Sequence, residues 1–334
     1  MALAKYNRFS LIAGIIAILF LSIFPFVNDS RSMLILFTQI FIFAIFAMSY
    51  DILLGYTGIV SFGHCLFFGI GAYSTAIILN ANDNTIGFFL LGIAIAVIAA
   101  VLISFLIGML SLRLQSHFYA MLTLGFSELF LIIAEKWRSM TQGGDGFTFQ
   151  VPEFLRDRFI FYFFTLISLV LIYILLRTFT SSSVGKVLKA ISQNQKRTEA
   201  LGFKVLHYKI IASVIAGVVA AYSGALYAVT LRFVDPSVFS IETTLDALLM
   251  TMIGGAGTLF GPILGSGAVE FIQHYLSELG TEYSIFERWP IFLGLLYIIV
   301  ILGFPKGIVG TFKSTVIKRK ENRKEKEGLL KHSA

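Results

Sequence analysis

The stretch GYTGIVSFGHCLFFGIGAY, residues 55–73, decides the fold class. It is apolar enough for a protein core or a bilayer, yet it contains five glycines, His64 and the only cysteine of the chain, Cys65. Each glycine inside a helix costs about 1 kcal/mol relative to alanine. An apolar segment interrupted in this way indicates a membrane helix that breaks where other protein or a cavity surrounds the backbone.

The composition supports a bilayer location. The 334 residues are 57% hydrophobic and 13% charged, with a mean hydropathy of +0.85, whereas soluble domains are about 45–50% apolar and about 25% charged. Apolar runs recur along the chain, each long enough to cross about 30 Å of hydrocarbon as a helix. They lack the two-residue alternation of barrel strands. We therefore predict an all-α, polytopic membrane protein with about 8–10 transmembrane or re-entrant helices.

Ten segments are candidate spans. They are residues 9–27, 33–54, 63–79, 86–112, 118–134, 159–176, 210–231, 243–257, 258–275 and 290–304. The first is interpreted as a span because it is too long for the apolar region of a signal peptide and no small-residue cleavage site follows it. Residues 1–312 then form the transmembrane domain, and residues 313–334 form a basic tail. A single cysteine excludes a disulfide within the chain.

Charge indicates the sidedness. Residues 178–209 carry six Lys or Arg and one Glu, and residues 306–334 carry nine Lys or Arg and three Glu. The other connections are neutral to acidic. The positive-inside rule places both basic segments in the cytoplasm, together with the N-terminus. This arrangement requires residues 243–275 to cross twice or to re-enter, with a turn at GGAGTLFGP, residues 254–262.

The glycine-rich breaks are candidate pathway elements. DILLGYTGIVSFGH, from Asp51, and DALLMTMIGGAGTLFGP, from Asp246, share an Asp-x-Leu-Leu start followed by glycines, and interrupted segments in corresponding halves point to a binding site or pathway. Close helix packing is the alternative explanation. The candidate pathway residues are Gly55, Gly58, Gly63, His64, Gly254, Gly255, Gly257, Gly261 and Pro262.

Acidic side chains within apolar runs form a second candidate set. They are Asp51, Glu128, Asp246 and Glu270, and each is a functional hypothesis because a charge in the membrane is costly. The alternative is that each pairs with a neighbour in the bundle. For His64 pairing is the favoured interpretation, because one histidine beside one cysteine is too few ligands for a metal.

No enzymatic constellation stands out in the sequence. FSELF, residues 126–130, lacks the Gly-x-Ser-x-Gly pattern of a nucleophile elbow, and Gly185-Lys186 lacks the upstream glycine of a phosphate-binding loop. We therefore predict that the chain is no enzyme, holds no cofactor or metal, and binds membrane lipid rather than nucleic acid.

Residues 183–205, SVGKVLKAISQNQKRTEALGFKV, form the longest polar insertion. Val184, Val187, Leu188 and Ile191 recur at helical spacing with lysines between them, which predicts a short amphipathic helix. Residues 198–202, TEALG, predict a second turn that stops at Gly202. From the residues alone, a basic helix resting on lipid headgroups is slightly favoured, and a docking surface for a cytoplasmic protein is the alternative.

Three stretches together resemble the permease subunits of branched-chain amino acid ABC importers of the LivM type. They are residues 55–79, residues 184–228 with VGKVLKAISQNQKRTEALGFKV, and MIGGAGTLFGPILGS at 252–266 with FPKGIVG at 304–310. The resemblance implies a multi-pass inner-membrane subunit that works with a LivH-type permease subunit, two cytoplasmic ATPase subunits of the LivG/LivF type and a periplasmic or lipid-anchored binding protein. ATP and Mg²⁺ are then bound by the ATPase subunits.

The resemblance also gives the loop a role. It is similar to the family's ATPase-coupling region, with Gly185, Lys186, Ala190, Glu199, Ala200 and Gly202 at the matching positions. The chain departs from the common pattern of the family at Cys65, at Phe67 and in ISQNQKRTEA. These departures leave the coupling geometry intact, but they put in doubt whether the pathway matches that of the family. Importers of urea or short-chain amides use similar permeases and stay an alternative. An ion-coupled secondary transporter that uses the four acids is the alternative of a different class.

Overall fold

The computed structural model describes residues 19–27, 30–112, 116–282, 289–303, 307 and 310–311. Residues 19–27 are helical. The α-helices that follow are, in chain order, α1 (Arg31–Thr57), α2 (Cys65–Ala81), α3 (Ile86–Ser111), α4 (Ser116–Lys136), α5 (Arg138–Thr141), α6 (Glu153–Arg156), α7 (Arg158–Ser181), α8 (Ser183–Gln193), α9 (Gln195–Ala200), α10 (Val205–Leu231), α11 (Ile241–Gly254), α12 (Phe260–Glu282) and α13 (Trp289–Gly303).

The fold is helical with one small sheet. Strands β1 (Phe147–Thr148) and β2 (Phe233–Val234) pair antiparallel, with Phe147 opposite Val234. Short 3₁₀ helices cover Gly143–Asp145 and Pro236–Phe239. The predicted all-α polytopic class is confirmed, because five described helices are long and apolar enough to cross a membrane: Arg31–Thr57, Ile86–Leu110, Phe118–Lys136, Arg158–Ser181 and Val205–Leu231.

Helix α1 occupies the centre of the bundle. It packs against α7, α10, α11 and α12, and its side chains from Phe41 to Leu53 are almost all buried, among them Phe46 and Tyr50. The outer helices α3, α4 and α7 instead expose many large apolar side chains. A soluble protein rarely leaves so much apolar surface in contact with water, so these faces are the lipid-facing side of the bundle.

The connections of the bundle sort into two ends. At one end, which we call the strand end, β1 pairs with β2 and Arg232 donates a hydrogen bond to the carbonyl of Arg156. At the opposite end, which we call the basic end, α8 lies beside the C-terminus of α1, and α9 packs against α8 and α10. Residues 178–209 and residues 145–157 are therefore at opposite ends, as charge predicts. The basic tail, residues 313–334, lies outside the described residues.

Two predicted spans are shorter than a full crossing. Helix α2 has 17 residues and α11 has 14, which correspond to about 25 Å and about 21 Å at 1.5 Å per residue. Non-helical backbone, residues 58–64 and 255–259, precedes α2 and follows α11. The predicted break within residues 254–262 thus falls at residues 255–259, and α11 turns back there into α12.

Candidate functional site

The first break joins α1 to α2, and we call α1, residues 58–64 and α2 the first hairpin. Helix α1 ends at Thr57 and is capped by Gly58, which adopts the left-handed conformation and donates to the carbonyls of Leu53 and Leu54. The break then runs back along α1, where the Tyr50 hydroxyl donates to the carbonyl of Ser61 at 3.1 Å. The amide of Phe62 donates to Thr123 Oγ1 of α4 at 3.2 Å. Neighbouring helices therefore satisfy this non-helical backbone, as burial at membrane depth requires.

The second break joins α11 to α12, and we call α11, residues 255–259 and α12 the second hairpin. Its amides are bound by a side chain of the first hairpin, since Asp51 Oδ1 accepts from the Gly257 amide at 2.6 Å and Oδ2 accepts from the Leu259 amide at 3.2 Å. Asp51 is fully buried. Its carboxyl group thus replaces the helical partners that the broken backbone lacks.

The two hairpins approach each other most closely at glycines. A Cβ atom added to Gly55 would collide with the backbone of Gly257 and with the Asp51 side chain. Gly257 has φ +76°, a conformation that other residues adopt at a cost. Gly55 lies in the last turn of α1 and Gly254 is the last residue of α11. We expected all five glycines, Gly55, Gly58, Gly254, Gly255 and Gly257, to be non-helical. This is wrong for Gly55 and Gly254, which are helical residues that permit close packing, whereas the other three form non-helical backbone.

The second hairpin in turn binds the first. The Cys65 amide, at the start of α2, donates to Thr244 Oγ1 of α11 at 2.9 Å, and Cys65 Sγ donates to the carbonyl of Phe239 at 3.1 Å. Thr251 Oγ1 also donates to the carbonyl of Ala47 at 3.1 Å. Each hairpin therefore supplies acceptors for the other, and the two breaks form one buried polar junction.

His64 lies at this junction and is fully buried. Its Nε2 forms a 2.8 Å hydrogen bond with Ser49 Oγ, while its Nδ1 has no partner among the described residues. The rings of Phe46, Tyr50 and Phe67 surround the imidazole. These contacts correspond to the pairing with a neighbour that the sequence favours over a metal site.

The remaining predicted glycines and proline flank the breaks. Gly63 contacts the carbonyl of Thr123 so closely that a Cβ atom would overlap it, and Gly261 lies against the Gly255 carbonyl. The Thr258 hydroxyl accepts from the Gly261 amide at 2.9 Å. Gly261 and Pro262 occupy the first turn of α12, where proline is tolerated. All nine predicted pathway residues thus lie in or beside the two breaks.

The predicted acidic residues do not form one chain of groups. Asp51 binds the second break, whereas Asp246 of α11 and Glu270 of α12 are close enough for their charges to interact. Glu128 is half-buried on α4 and makes no hydrogen bond with a described residue. The sequence therefore named four acids whose environments are different.

The polar loop forms two helices at the basic end. Helix α8 buries Leu188 and Ile191 and exposes Lys186, Lys189 and Ala190, which confirms the predicted amphipathic helix. The Ser182 hydroxyl caps it by accepting from the Gly185 amide. Gly185 is buried against the backbone of Thr180, where a Cβ atom would collide.

Helix α9 ends at the predicted stop. Gly202 has φ +89° and its amide donates to the carbonyl of Glu199 at 2.9 Å, a left-handed helix end that glycine favours. Glu199 and Ala200 are exposed. Glu199 Oε1 accepts from Gln195 Nε2 at 2.9 Å, and Lys209 Nζ donates to Gln195 Oε1 at 2.8 Å. The start of α9 is therefore bound to the first turns of α10.

Helix α8 contacts the first break directly. A Cβ atom on Gly58 would meet the Cα and Cβ of Ser192 at 3.5 Å, in van der Waals contact. Gly58 is seven residues after Asp51. Helix α8 thus packs beside the end of α1, whose residue Asp51 binds the second break.

Sequence reasoning did not identify several residues of the site. Ser49, Thr123, Phe239 and Thr244 supply the partners described above. The hydroxyl residues occur singly in apolar segments and give no signal without the fold. Leu201 and Phe203, which flank Gly202, are 70% and 40% exposed. Two exposed apolar side chains in a basic loop would have been a usable signal for a docking surface.

Comparisons with known proteins give the class. The sequence profile of a family described as "Branched-chain amino acid transport system / permease component" matches residues 32–302. The chain belongs to this family of multi-pass membrane permeases, and it resembles LivM-type members in particular.

Three relatives show the extent of the likeness. The chain is 26% identical to the high-affinity branched-chain amino acid transport system permease protein LivM of Escherichia coli (strain K12), over 88% of this chain and 74% of that protein. It is 25% identical to the protein of the same name from Salmonella typhimurium, over 84% and 70%. It is 24% identical to a probable LivM of Methanocaldococcus jannaschii, over 84% and 93%. No solved structure matches.

Proposed function

We propose that this chain is the membrane-spanning permease subunit of an ABC importer that carries branched-chain amino acids across the inner membrane. A LivH-type permease subunit completes the pathway, two cytoplasmic ATPase subunits bind and hydrolyse MgATP, and a periplasmic or lipid-anchored binding protein delivers the substrate. The chain itself catalyses no reaction. The family match and the LivM relatives support the permease role. The partner subunits, the substrate and the inner membrane are our extension of that role.

The observation that carries the proposal is the position of α8 and α9. These helices project from the basic end with exposed Lys186, Lys189 and Glu199, while α8 contacts the end of α1 at Gly58. Exposed Leu201 adds an apolar group of the kind that anchors protein interfaces. A partner docked here would contact a surface that is directly connected to the two breaks.

This connection suggests a transport mechanism. When the ATPase dimer closes on ATP, it moves α8, and α8 moves the end of α1 and the second break that Asp51 binds. The free energy comes from the different affinities of the ATPases for ATP in the two conformations, because a ligand that binds both states equally shifts nothing. The permease then alternates between outward and inward openings.

Sidedness follows from the two ends. We propose that the basic end faces the cytoplasm, because its loop carries six Lys or Arg against one Glu. Residues 147–148 and 233–234, at the strand end, then face the binding protein. Both termini are cytoplasmic in this arrangement, and the basic tail at 313–334 is drawn to anionic lipid.

Two other functions compete with this one. A urea or amide importer would have the same loop and a different substrate. An ion-coupled transporter would use the membrane carboxyls, and the proximity of Asp246 and Glu270 is the observation in its favour. The second alternative leaves the exposed α8–α9 surface without a role.

The test is co-purification of the chain with its candidate partners, followed by ATPase measurement with substrate-loaded binding protein. We expect Leu201→Ser to lower ATPase recovery or stimulation at least about tenfold, since an exposed anchor contributes more than about 1.4 kcal/mol to an interface. Phe154→Ser, which changes a similarly exposed apolar residue at the strand end, is the matched control for recovery of the ATPase.

Two further variants address the loop itself. Glu199→Lys puts a cation where the Glu199 carboxylate interacts with Lys209, and Gly202→Pro cannot adopt the left-handed φ of +89°. Both should abolish stimulation. A chain that purifies alone and moves substrate along an ion gradient without ATP would overturn the proposed function.

A further inference from the structure

The second hairpin holds two carboxyl groups at one depth. Helices α11 and α12 pack so closely that a Cβ atom on Gly265 would collide with the carbonyl of Met250. Asp246 lies one helical turn before Met250, and Glu270 lies five residues after Gly265. Both acids are therefore farther from the break at residues 255–259 than this contact is. At 1.5 Å per residue they lie about 12–15 Å from the break, close to half the thickness of a bilayer core.

These carboxyl groups are enclosed without a cation. Glu270 is 8% exposed and Asp246 is half-buried. The charge of Asp246 acts on Glu270, and that of Glu242 acts on Asp246. Among the described residues no lysine, arginine or histidine is paired with either carboxyl group. Two neighbouring acids in a membrane are costly unless a positive group or protons accompany them.

A third polar group, the Tyr297 hydroxyl, lies close enough to both carboxyl groups to interact with their charges. Tyr297 of α13 is 93% buried, since its exposed fraction is 7%, and its hydroxyl makes no hydrogen bond within 3.5 Å among the described residues. Its polar neighbours are Gln273 and the carboxyl groups of Asp246 and Glu270. A buried hydroxyl without a partner normally marks a place where a ligand or a water completes the hydrogen bonds.

We propose that Asp246, Glu270 and Tyr297 form a binding site for the ammonium group of a translocating amino acid. The inference rests on the proposed function and deepens it, because it assigns the substrate class to this chain's own residues. An organic ammonium group supplies one positive charge and donates hydrogen bonds to the carboxyl groups. A proton held by the pair supplies the second charge, and the Tyr297 hydroxyl donates to the substrate carboxylate. A neutral urea or amide supplies no positive charge to the pair.

The exposed face of α11 provides access to the site. Glu242 is exposed and lies one turn before Asp246, on the side of the strand end. Helix α11 is too short to span the membrane, and non-helical backbone flanks it at both ends. Because such backbone is not tolerated in contact with lipid, this face lines an aqueous route or contacts another protein chain.

The test uses the full chain in lipid nanodiscs and requires no partner. A hydrophobic carbodiimide modifies buried carboxyl groups, and mass spectrometry of the peptides measures the rate at Glu270. We expect saturating leucine to slow this modification about tenfold, whereas 4-methylpentanoate, which lacks the ammonium group, has no effect. Glu135, exposed at the end of α4, is the internal control and should be modified at the same rate throughout.

Variants then assign the protection to the site. Asp246→Asn and Tyr297→Phe should each weaken the leucine protection of Glu270 about tenfold, the loss of one hydrogen bond to a charged group. Tyr275→Phe, on the exposed part of α12, should leave the protection unchanged. The protection of Glu270 by leucine is measured in the wild-type chain, so the proposal can still be tested if a variant fails to fold.

The outcomes separate this proposal from the proposed function. If leucine gives no protection, or if sodium protects as well as leucine, the ammonium site is overturned, and the sodium result favours an ion-coupled pair. If leucine protects but the assembled complex shows no ATP-dependent uptake, the site stands and the ABC importer function fails.

Discussion

Asp51 connects the two hairpins through hydrogen bonds that no hydrophobic side chain could form. Its oxygens accept from the amides of Gly257 and Leu259 while the residue is fully buried. A buried amide without an acceptor costs about 1–3 kcal/mol. The sequence showed Asp51 as an acid within an apolar run, but it could not show that the partner is backbone more than 200 residues away.

Replacing Asp51 should destabilise the protein in a graded way. Asp51→Ala leaves both amides unpaired, so it should cost about 2–5 kcal/mol and lower the thermal midpoint in detergent, with Asp51→Asn intermediate because one oxygen remains. Asp83→Ala, at an exposed loop position, should leave the midpoint unchanged. Equal midpoints for Asp51→Ala and the wild type would show that these hydrogen bonds contribute nothing.

Glycines at the helix contacts should differ sharply in their tolerance of alanine. At Gly55 an added methyl group overlaps the Gly257 backbone, whereas at Gly125 nothing lies within 4 Å. Gly55→Ala should therefore cost at least about 1–3 kcal/mol, and Gly125→Ala should be neutral or stabilising by up to about 1 kcal/mol. Denaturation of both variants in the same detergent gives the comparison, and a result in the opposite order would contradict the packing described here.

At the scale of elements, the structure separates what the sequence could predict from what it could not. The apolar runs predicted the long helices, and the glycine clusters predicted both breaks, because length and helix propensity are local properties. The pairing of Cys65 with Thr244 and Phe239, and of α8 with Gly58, depends on distant parts of the chain. Hydroxyl and glycine residues have no local pattern that identifies such partners.

The single cysteine reports on the contact between the hairpins. Cys65 is buried, and its Sγ donates a hydrogen bond to the Phe239 carbonyl. In the folded protein it should therefore react with a membrane-permeant maleimide far more slowly than in the detergent-unfolded chain. Thr244→Ala removes the acceptor of the Cys65 amide and should accelerate labelling several-fold. Thr230→Ala, which removes a hydrogen bond within α10, is the control. Fast labelling of the wild type would mean that the hairpins are apart.

For the whole molecule, the two ends of the bundle should face opposite sides of the membrane. Lys196→Cys lies at the basic end and Asp83→Cys lies at the strand end, and both positions are exposed. A membrane-impermeant thiol reagent should label Asp83→Cys in intact cells and Lys196→Cys only after the membrane is opened. The unaltered chain, with its buried Cys65, gives the background. Labelling of both variants from outside would overturn the assigned orientation.

The short helix α11 also has a consequence for how the protein is made. A 14-residue helix that carries Glu242 and Asp246 is a poor substrate for direct insertion into lipid, since insertion favours about 20 apolar residues. Asp51 of α1 accepts from the backbone after α11 and Cys65 of α2 donates to the backbone before it, and both are synthesised about 200 residues earlier. The second hairpin should therefore enter the membrane late, against a first hairpin already in place, and biogenesis would fail after translation rather than during it when that surface is damaged.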